Sequence, residues 1–327
     1  MYKNTIYFGI DISKDVFDVM DANNNYYQFT NNQKGFKKFF KLLDASSHCV
    51  MEATAYYHLL LANFLFDSEI KVSVENPLSV KRFIQMKLSK IKTDKSDAKM
   101  ICKYAEQVDL KLWKPNSKNI VECLQISRLL DVYTKQSTAI KNKIHGEKIL
   151  GTPSAIVIKS LKKSLKNIQK QIMELEERLI YLVKLDFQQM LTLLETIPGI
   201  GRKTAAMLIV LTNGFDKFEN ANQLCSYCGL TPVIRQSGSS IKGKARISKV
   251  GNQKLRNLLF LCSFTACKHN LACENIYTRI VDKGKSKKLA LIAVCNKLLK
   301  QSYAIAKSGL PYDANFQSKL NLKHAES

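Results

Sequence analysis

The stretch YFGIDISKDVFDVMD, residues 7–21, ends an apolar, strand-like run on an acidic residue, Asp11, and a second strand-like run follows at once. A carboxylate on a buried strand is costly unless a metal or another cation compensates it. The fold must therefore bring other groups to Asp11. Further carboxylates in apolar surroundings would point to a shared cation.

The surrounding pattern is α/β. Residues 5–30 alternate like three short strands, TIYFGIDI, DVFDVMD and YYQFT, joined by polar turns that include the NNN at 23–25, which predicts an antiparallel meander. Asn31 or Asn32 can cap a helix in which Phe36, Phe39, Phe40 and Leu43 share one face. SHCVMEAT then reads as a buried strand, AYYHLLLANFLFDS as a helix and IKVSVEN as a strand, and Pro77 starts a further helix. This order over residues 1–115 is that of a ribonuclease-H-like α/β domain, although other α/β folds share the alternation.

Within it, Glu52 closes the strand CVMEAT at the carboxy edge, where catalytic groups gather in such sheets. In KIKTDKSDAKMICKYA, Thr93 or Asp94 can cap a helix that carries Asp94 and Asp97 as neighbours on one face. Taken alone, those two also suit a cap and a solvated face. Asp15 and Asp18 read as turn and solvent-face residues. If Asp11, Glu52, Asp94 and Asp97 converge, they need cations, because four like charges raise one another's proton affinity. Two Mg²⁺ ions about 4 Å apart would neutralise them and suit in-line phosphoryl displacement.

Charge points to the same partner class. Lysine plus arginine exceed aspartate plus glutamate by 51 to 27, a formal +24. A compact body with that excess calls for a polyanion, and nucleic acid is the default. The excess is +9 before residue 196 and +15 after it, where six acidic residues remain, so the carboxy-terminal part is expected to face DNA. No apolar run approaches the roughly 18 residues of a membrane span, and MYKNTIYFGID runs into a strand without a signal-peptide pattern. Nine scattered cysteines argue against a disulfide framework. A reducing cytoplasm fits these features.

From about 116 to 190 the pattern becomes two long helices. The first covers about 120–150, with Leu129, Tyr133, Ile140 and Ile144 as its stripe, and Gly151 and Pro153 break it. The second covers about 154–185, with Ile158, Leu161, Leu165, Ile168, Ile172, Leu175, Leu179 and Leu182 at threes and fours. A hairpin about 45 Å long cannot bury its whole stripe alone. It is expected to pack on another subunit or to space two domains, with a plain helical bundle as the alternative.

Residues 191–327 carry two more motifs. IPGIGRKTA resembles a helix-hairpin-helix element, in which Gly199 and Gly201 bring amides to a phosphate and Arg202 and Lys203 supply charge, and it also suits a tight turn between packed helices. Cys225 and Cys228 form a C-x-x-C without a second pair at zinc spacing, and His269 is distant, so a small-residue helix is the better reading. The loop RQSGSSIKGKARISKVG carries Arg235, Lys242, Lys244, Arg246 and Lys249. It suits a plain phosphate grip, and equally a serine nucleophile among cations that stabilise an oxyanion. From about Asn252 the chain reads as helical again, with KGKSKK at 283–288 as a basic link.

GIDISK with Asp11, MEAT with Glu52, KTDKSDA with Asp94 and Asp97, IPGIGRKTA, and CGLTPVIRQSGSSIKGKARISKVGN occur in that order over nearly the whole chain. Together they resemble the DEDD transposases of the insertion-sequence 110 family. The resemblance implies a RuvC-like domain of the ribonuclease-H fold (1–115), a coiled-coil hairpin (116–190) and a transposase domain supplying a nucleophilic serine (191–327). It implies a site-specific recombinase guided by a structured noncoding RNA, called bridge RNA, that pairs with target and donor DNA. Cleavage would leave a covalent phosphoserine link, in a composite site shared across subunits of a tetramer, within a bacterial or archaeal cell at its nucleoid. Asp11, Glu52, Asp94 and Asp97 match the acidic tetrad. Of Ser237, Ser239 and Ser240, Ser237 precedes the glycine as in the family's serine-glycine pattern. The competing expectations are a resolvase-like, metal-dependent nuclease using water, and a nonenzymatic nucleic-acid scaffold.

Overall fold

The computed structural model of the chain describes residues 5–88, 93–233, 236–237, 241–242, 246–248 and 250–316. The chain divides into two compact units, Met1–Pro115 and Asn116–Ser327.

The first unit is built on a five-stranded mixed sheet. Strands β1 (Ile6–Ile12), β2 (Val16–Asp21) and β3 (Tyr26–Thr30) form the antiparallel meander, with Asn24 taking the left-handed conformation its turn requires. Helix α1 (Gln33–Phe40) follows, capped by Asn32, whose side chain accepts from the amides of Lys34 and Gly35. Then come β4 (Ser47–Glu52), α2 (Tyr57–Asp67), β5 (Lys71–Glu75), α3 (Pro77–Met86) and α4 (Asp94–Gln107). The sheet order is β3-β2-β1-β4-β5, with β1, β4 and β5 mutually parallel. This is in keeping with the ribonuclease-H-like expectation.

The two faces of the sheet have different duties. Phe8, Ile10, Ile12, Phe17, Val19, Cys49, Met51 and Val72 join Phe36 and Phe39 of α1 and Leu61 and Leu65 of α2 in one apolar cluster. By the two-residue period of a strand, Gly9 and Asp11 must point the other way, together with Asp18 and Met20 of β2. Met20 there packs on Ala98 and Cys102, so this second face belongs to α4. In α1, Phe36 and Phe39 are buried as expected, but Phe40 is 39 % exposed, because the short helix offers only one line of residues to the sheet.

In the second unit, α5 (Lys118–Ile149) and α6 (Ala155–Glu195) form an antiparallel pair. Ser117 donates to Asp186 at 2.7 Å, Arg178 to Glu122 at 2.8 Å, and the Cys123 thiol reaches the Leu179 carbonyl, so partners on α6 step down as those on α5 step up. The inward line of α5 runs through Ile120, Cys123, Ile126 and Leu130, facing Leu179, Leu182 and Val183. Leu129, expected on that stripe, is 38 % exposed, because the line is set one residue later at the base of the hairpin. Residue 187 breaks the helical geometry of α6.

Helix α7 (Arg202–Thr212), α8 (Ala221–Tyr227), α9 (Gln253–His269), α10 (Leu271–Asp282) and α11 (Lys287–Ser308) pack with the hairpin base into one core. Between α8 and α9, β6 (Pro232–Val233) pairs with β9 (Arg246–Ile247), and β7 (Gln236–Ser237) with β8 (Ile241–Lys242). The segment read as a basic loop is thus a nested pair of short antiparallel ladders. The β-branched Val233, Ile241 and Ile247 favour that extended pairing. Among the described residues no helix is long and apolar enough to cross a membrane.

Candidate active site

The α4-facing side of the sheet carries a row of polar residues at one level. In the antiparallel register Asp11 lies opposite Asp18, and Asp18 opposite Gln28. In the parallel register Ile10 pairs with Met51, which puts Asp11 level with Glu52, and Glu52 pairs with Glu75. Directly opposed residues of a sheet share a face. Gln28, Asp18, Asp11, Glu52 and Glu75 therefore run across five adjacent strands.

Helix α4 brings the remaining two acids. Thr93 caps it, its hydroxyl accepting from the Ser96 amide while Ser96 returns a bond to the Thr93 amide, and Asp94 and Asp97 lie in the first turn, where a helix favours negative charge. The helix approaches β1 at Gly9, where a Cβ would stand 2.2 Å from the Cys102 amide nitrogen and 2.3 Å from the Ala98 carbonyl oxygen. Only glycine permits that approach. Asp97 immediately precedes Ala98 and Asp94 stands one turn back along α4, while Asp11 lies one pleat on along β1 from Gly9.

The electrostatics register the convergence. Burial first, then the charges of Asp97, Asp94, Glu52 and Asp18, push the Asp11 carboxyl up to about 6. Four acidic neighbours thus act on Asp11. Among the described residues, however, no three His, Cys, Asp or Glu side chains are gathered tightly enough to grip a metal ion. The donor set is all oxygen, which suits a hard divalent cation such as Mg²⁺.

Two wing residues went unrecognised in the sequence. Asp18, read as a solvent-face residue, is 2 % exposed, and its carboxylate accepts from the Tyr26 hydroxyl and, at 3.0 Å, from Gln28. That bond pushes Tyr26 up to about 12. At the other end Glu75 accepts from Tyr104 of α4 at 3.1 Å, and burial raises its carboxyl above the usual range. The signal for Asp18 was present in its spacing from Asp11 across a tight turn, but only the register makes it usable.

In the second unit, Gly199 has φ +103°, and a Cβ there would stand 2.7 Å from that of Ala266, so it permits close packing on α9. Gly201 has open space beside it and caps α7. Arg202 donates to Glu195 at 2.6 Å, and Lys203 is ion-paired with Glu176, so both cations expected at a phosphate have carboxylate partners. Cys225 sits in α8 and Cys228 caps it, both buried, and the Cys228 carbonyl accepts from Arg256 at 2.8 Å. The backbone of Ser237 pairs with Ile241 in the β7–β8 ladder, and Lys242 and Arg246 lie in β8 and β9. Arg235, Ser239, Ser240, Lys244 and Lys249 lie outside the described residues.

Comparison with known proteins adds family evidence. A model for DEDD transposases of the IS110 kind matches residues 8–147, and one described as transposase IS116/IS110/IS902 family matches residues 191–278. The chain is 32 % identical over 320 residues to pilin gene-inverting proteins of Moraxella lacunata and Moraxella bovis, covering 94 % of this chain and 97 % of each relative. It is 23 % identical to the transposase for insertion sequence element IS1111A of Coxiella burnetii, over 88 % of this chain and 86 % of that protein.

Proposed function

The chain belongs to the IS116/IS110/IS902 family of transposases and is a DNA-recombining enzyme, and we propose that it cuts and rejoins strands through Ser237, assisted by Asp11, Glu52, Asp94 and Asp97, at sites chosen by a structured noncoding RNA. The DEDD domain implies a divalent metal, typically Mg²⁺. In this reading the four carboxylates hold it, as two ions. When bound, the metal neutralises the row and polarises the scissile phosphate.

The chain's own residues divide the work. The Ser237 hydroxyl oxygen attacks phosphorus, forming an ester as the DNA P–O bond breaks. The proton lost from the serine is balanced by one gained on the freed deoxyribose hydroxyl. Reversal onto a new strand end rejoins DNA without external energy, since one phosphoester replaces another. The basic residues Arg235, Lys242, Lys244, Arg246 and Lys249 flank the serine in sequence and would hold the phosphate and its developing charge. The backbone amides at Gly199 and Gly201, with Arg202 and Lys203 beside them, would hold DNA in helix-hairpin-helix fashion.

The observation that carries this reading is the meeting at Asp11 of β1 with Glu52 of β4 and with Asp94 and Asp97 of α4, whose charges all raise the Asp11 carboxyl. Relatives named for inverting a gene support conservative cutting and rejoining. Residues 1–115 then act as a RuvC-like catalytic domain, 116–190 as a coiled-coil spacer that joins copies into dimers or tetramers, and 191–327 as the serine-bearing domain. Neither catalytic part alone would cut.

The test replaces Ser237 with alanine and Asp11 with asparagine separately and measures strand exchange. Both should abolish it. Unimpaired exchange by Ser237→Ala would overturn the nucleophile assignment and favour attack by water. Tight, salt-dependent binding that ignores Mg²⁺, with no cutting by the unaltered protein, would favour a scaffold.

A further inference from the structure

We propose that the first half of α6 carries a nucleic-acid phosphate track made by Lys159, Lys162, Lys163, Lys166 and Lys170. Its choice of polyanion rests on the recombinase reading above, while its location rests on the helix itself.

The apolar residues Ile158, Leu161, Leu165, Ile168 and Ile172 are half-buried. At about 100° per residue they mark one side of α6; Lys159, Lys163, Lys166 and Lys170 fall roughly opposite and Lys162 on the flank, all exposed. Four of them, Lys159, Lys163, Lys166 and Lys170, follow steps of four, three and four, forming one ridge. With a rise of about 1.5 Å per residue the ridge is about 16 Å long. One strand of duplex presents a phosphate about every 3.4 Å of axis, so the ridge matches about five phosphates.

An ordinary solvated face mixes charge signs. This helix segregates them. From Ala155 to Met173 there are five lysines and no acid, whereas from Glu174 to Glu195 there are five acids with one arginine and one lysine. Lys159, Lys162, Lys163 and Lys166 have no described carboxylate at ion-pair distance, and Lys170 has only Glu174, at 3.7 Å. Like charges three and four apart weaken a helix. The segment thus carries a composition that its own stability opposes, and a polyanion laid along it relieves the repulsion. The partner helix strengthens the field: at the same end of the hairpin it adds Lys141, Lys143 and Lys148 against a single acid, Glu147.

The test uses the full-length protein with Lys159, Lys163, Lys166 and Lys170 all changed to glutamine. Binding to non-target duplex DNA and to a folded RNA from the element's flank is measured across salt. For duplex, the slope of log affinity against log salt should shrink by about 0.9 for each phosphate no longer neutralised, hence by about 3 to 4, and for single-stranded regions by about 0.7 each. A change with only one of the two ligands identifies which nucleic acid runs along the arm. Lys→Arg at the same positions should keep the slope, with unchanged helix content showing that the arm still forms.

Unchanged slopes with both ligands would overturn the proposal. So would an equal change from glutamine at Lys283, Lys285, Lys287 and Lys288, since the effect would then be general charge. Binding is read without catalysis, so a failure here is separate from a failure of the serine assignment, which strand exchange reports.

Discussion

Replacing Gly9 with alanine tests whether the spacing between β1 and α4 sets the acidic site. The added methyl would stand 2.2 Å from the Cys102 nitrogen, 2.3 Å from the Ala98 oxygen and 2.7 Å from the Cys102 Cα. These are backbone atoms, so no side-chain rotation relieves the clash. Ordinary van der Waals separation begins at 3.4 Å, and α4 must therefore recede by about 1 Å, carrying Asp94 and Asp97 away from Asp11. Overpacking of this kind costs about 1–3 kcal/mol. In a unit of this size that lowers the midpoint of thermal unfolding by about 4–8 °C per kcal/mol. A displacement near 1 Å at reacting groups costs about 10²-fold in rate. The assay pairs thermal unfolding with strand exchange at a temperature where the variant is still folded. Gly146→Ala serves as the control, because nothing lies within 4 Å of a Cβ at that helical position. A Gly9→Ala protein that melts and recombines like the unaltered one would refute the close-approach reasoning.

Other perturbations bear on the same account. Asp18→Asn keeps an oxygen for Tyr26 and Gln28 but removes one of the charges that raise Asp11; its melting temperature without divalent cations should rise, and the further rise on adding Mg²⁺ should shrink, whereas an unchanged Mg²⁺ response would remove Asp18 from the site. Burial pushes His48, 7 % exposed and bonded to Ser73, down to about 4, and lowers His58 as well. The unfolded chain therefore takes up protons first as pH falls from about 6.5 toward 4, and stability present above that window is lost within it, up to about 3 kcal/mol from His48 alone. Asp11, raised to about 6, works in the opposite direction, because its folded form holds a proton that the unfolded form releases. Unfolding free energies across pH 4–7 should thus slope less steeply in His48→Gln, and an identical slope would contradict the assignment. Gly199→Ala, at φ +103° and against Ala266, should destabilise its unit by about 1–3 kcal/mol. Gly201→Ala, beside open space, should leave melting unchanged while weakening DNA binding, and unaltered binding would remove it from the phosphate site.

The sequence revealed the strand and helix order because alternation, Asn32 and Pro77 are local signals whose physics acts within a few residues. It also marked Asp11 and Glu52, since carboxylates at the ends of apolar runs stand out without any fold. Asp18 did not stand out. Its neighbours alternate equally well with either face buried, and only pairing with β1 and β3 puts it beside Asp11, under Tyr26 and Gln28. The same holds for Gly199, whose role depends on Ala266, far along the chain. Leu129 shows the limit of periodicity, since Tyr133, Ile140 and Ile144 of the expected stripe are half-buried while Leu130 takes the inward place given to Leu129. The partners of Arg202 and Lys203, Glu195 and Glu176, lie on α6 and follow from how that helix meets α7.

In the proposed reaction a serine, and not water, breaks the DNA strand. The most direct measurement is mass analysis of peptides from the full-length protein, denatured during reaction with DNA, its RNA and Mg²⁺. A nucleotide attached through phosphate to the peptide containing Ser237 is expected, absent from Ser237→Ala and from Asp11→Asn. Cleaved DNA carrying an oxygen from isotopically labelled water, with that peptide unmodified, would contradict it.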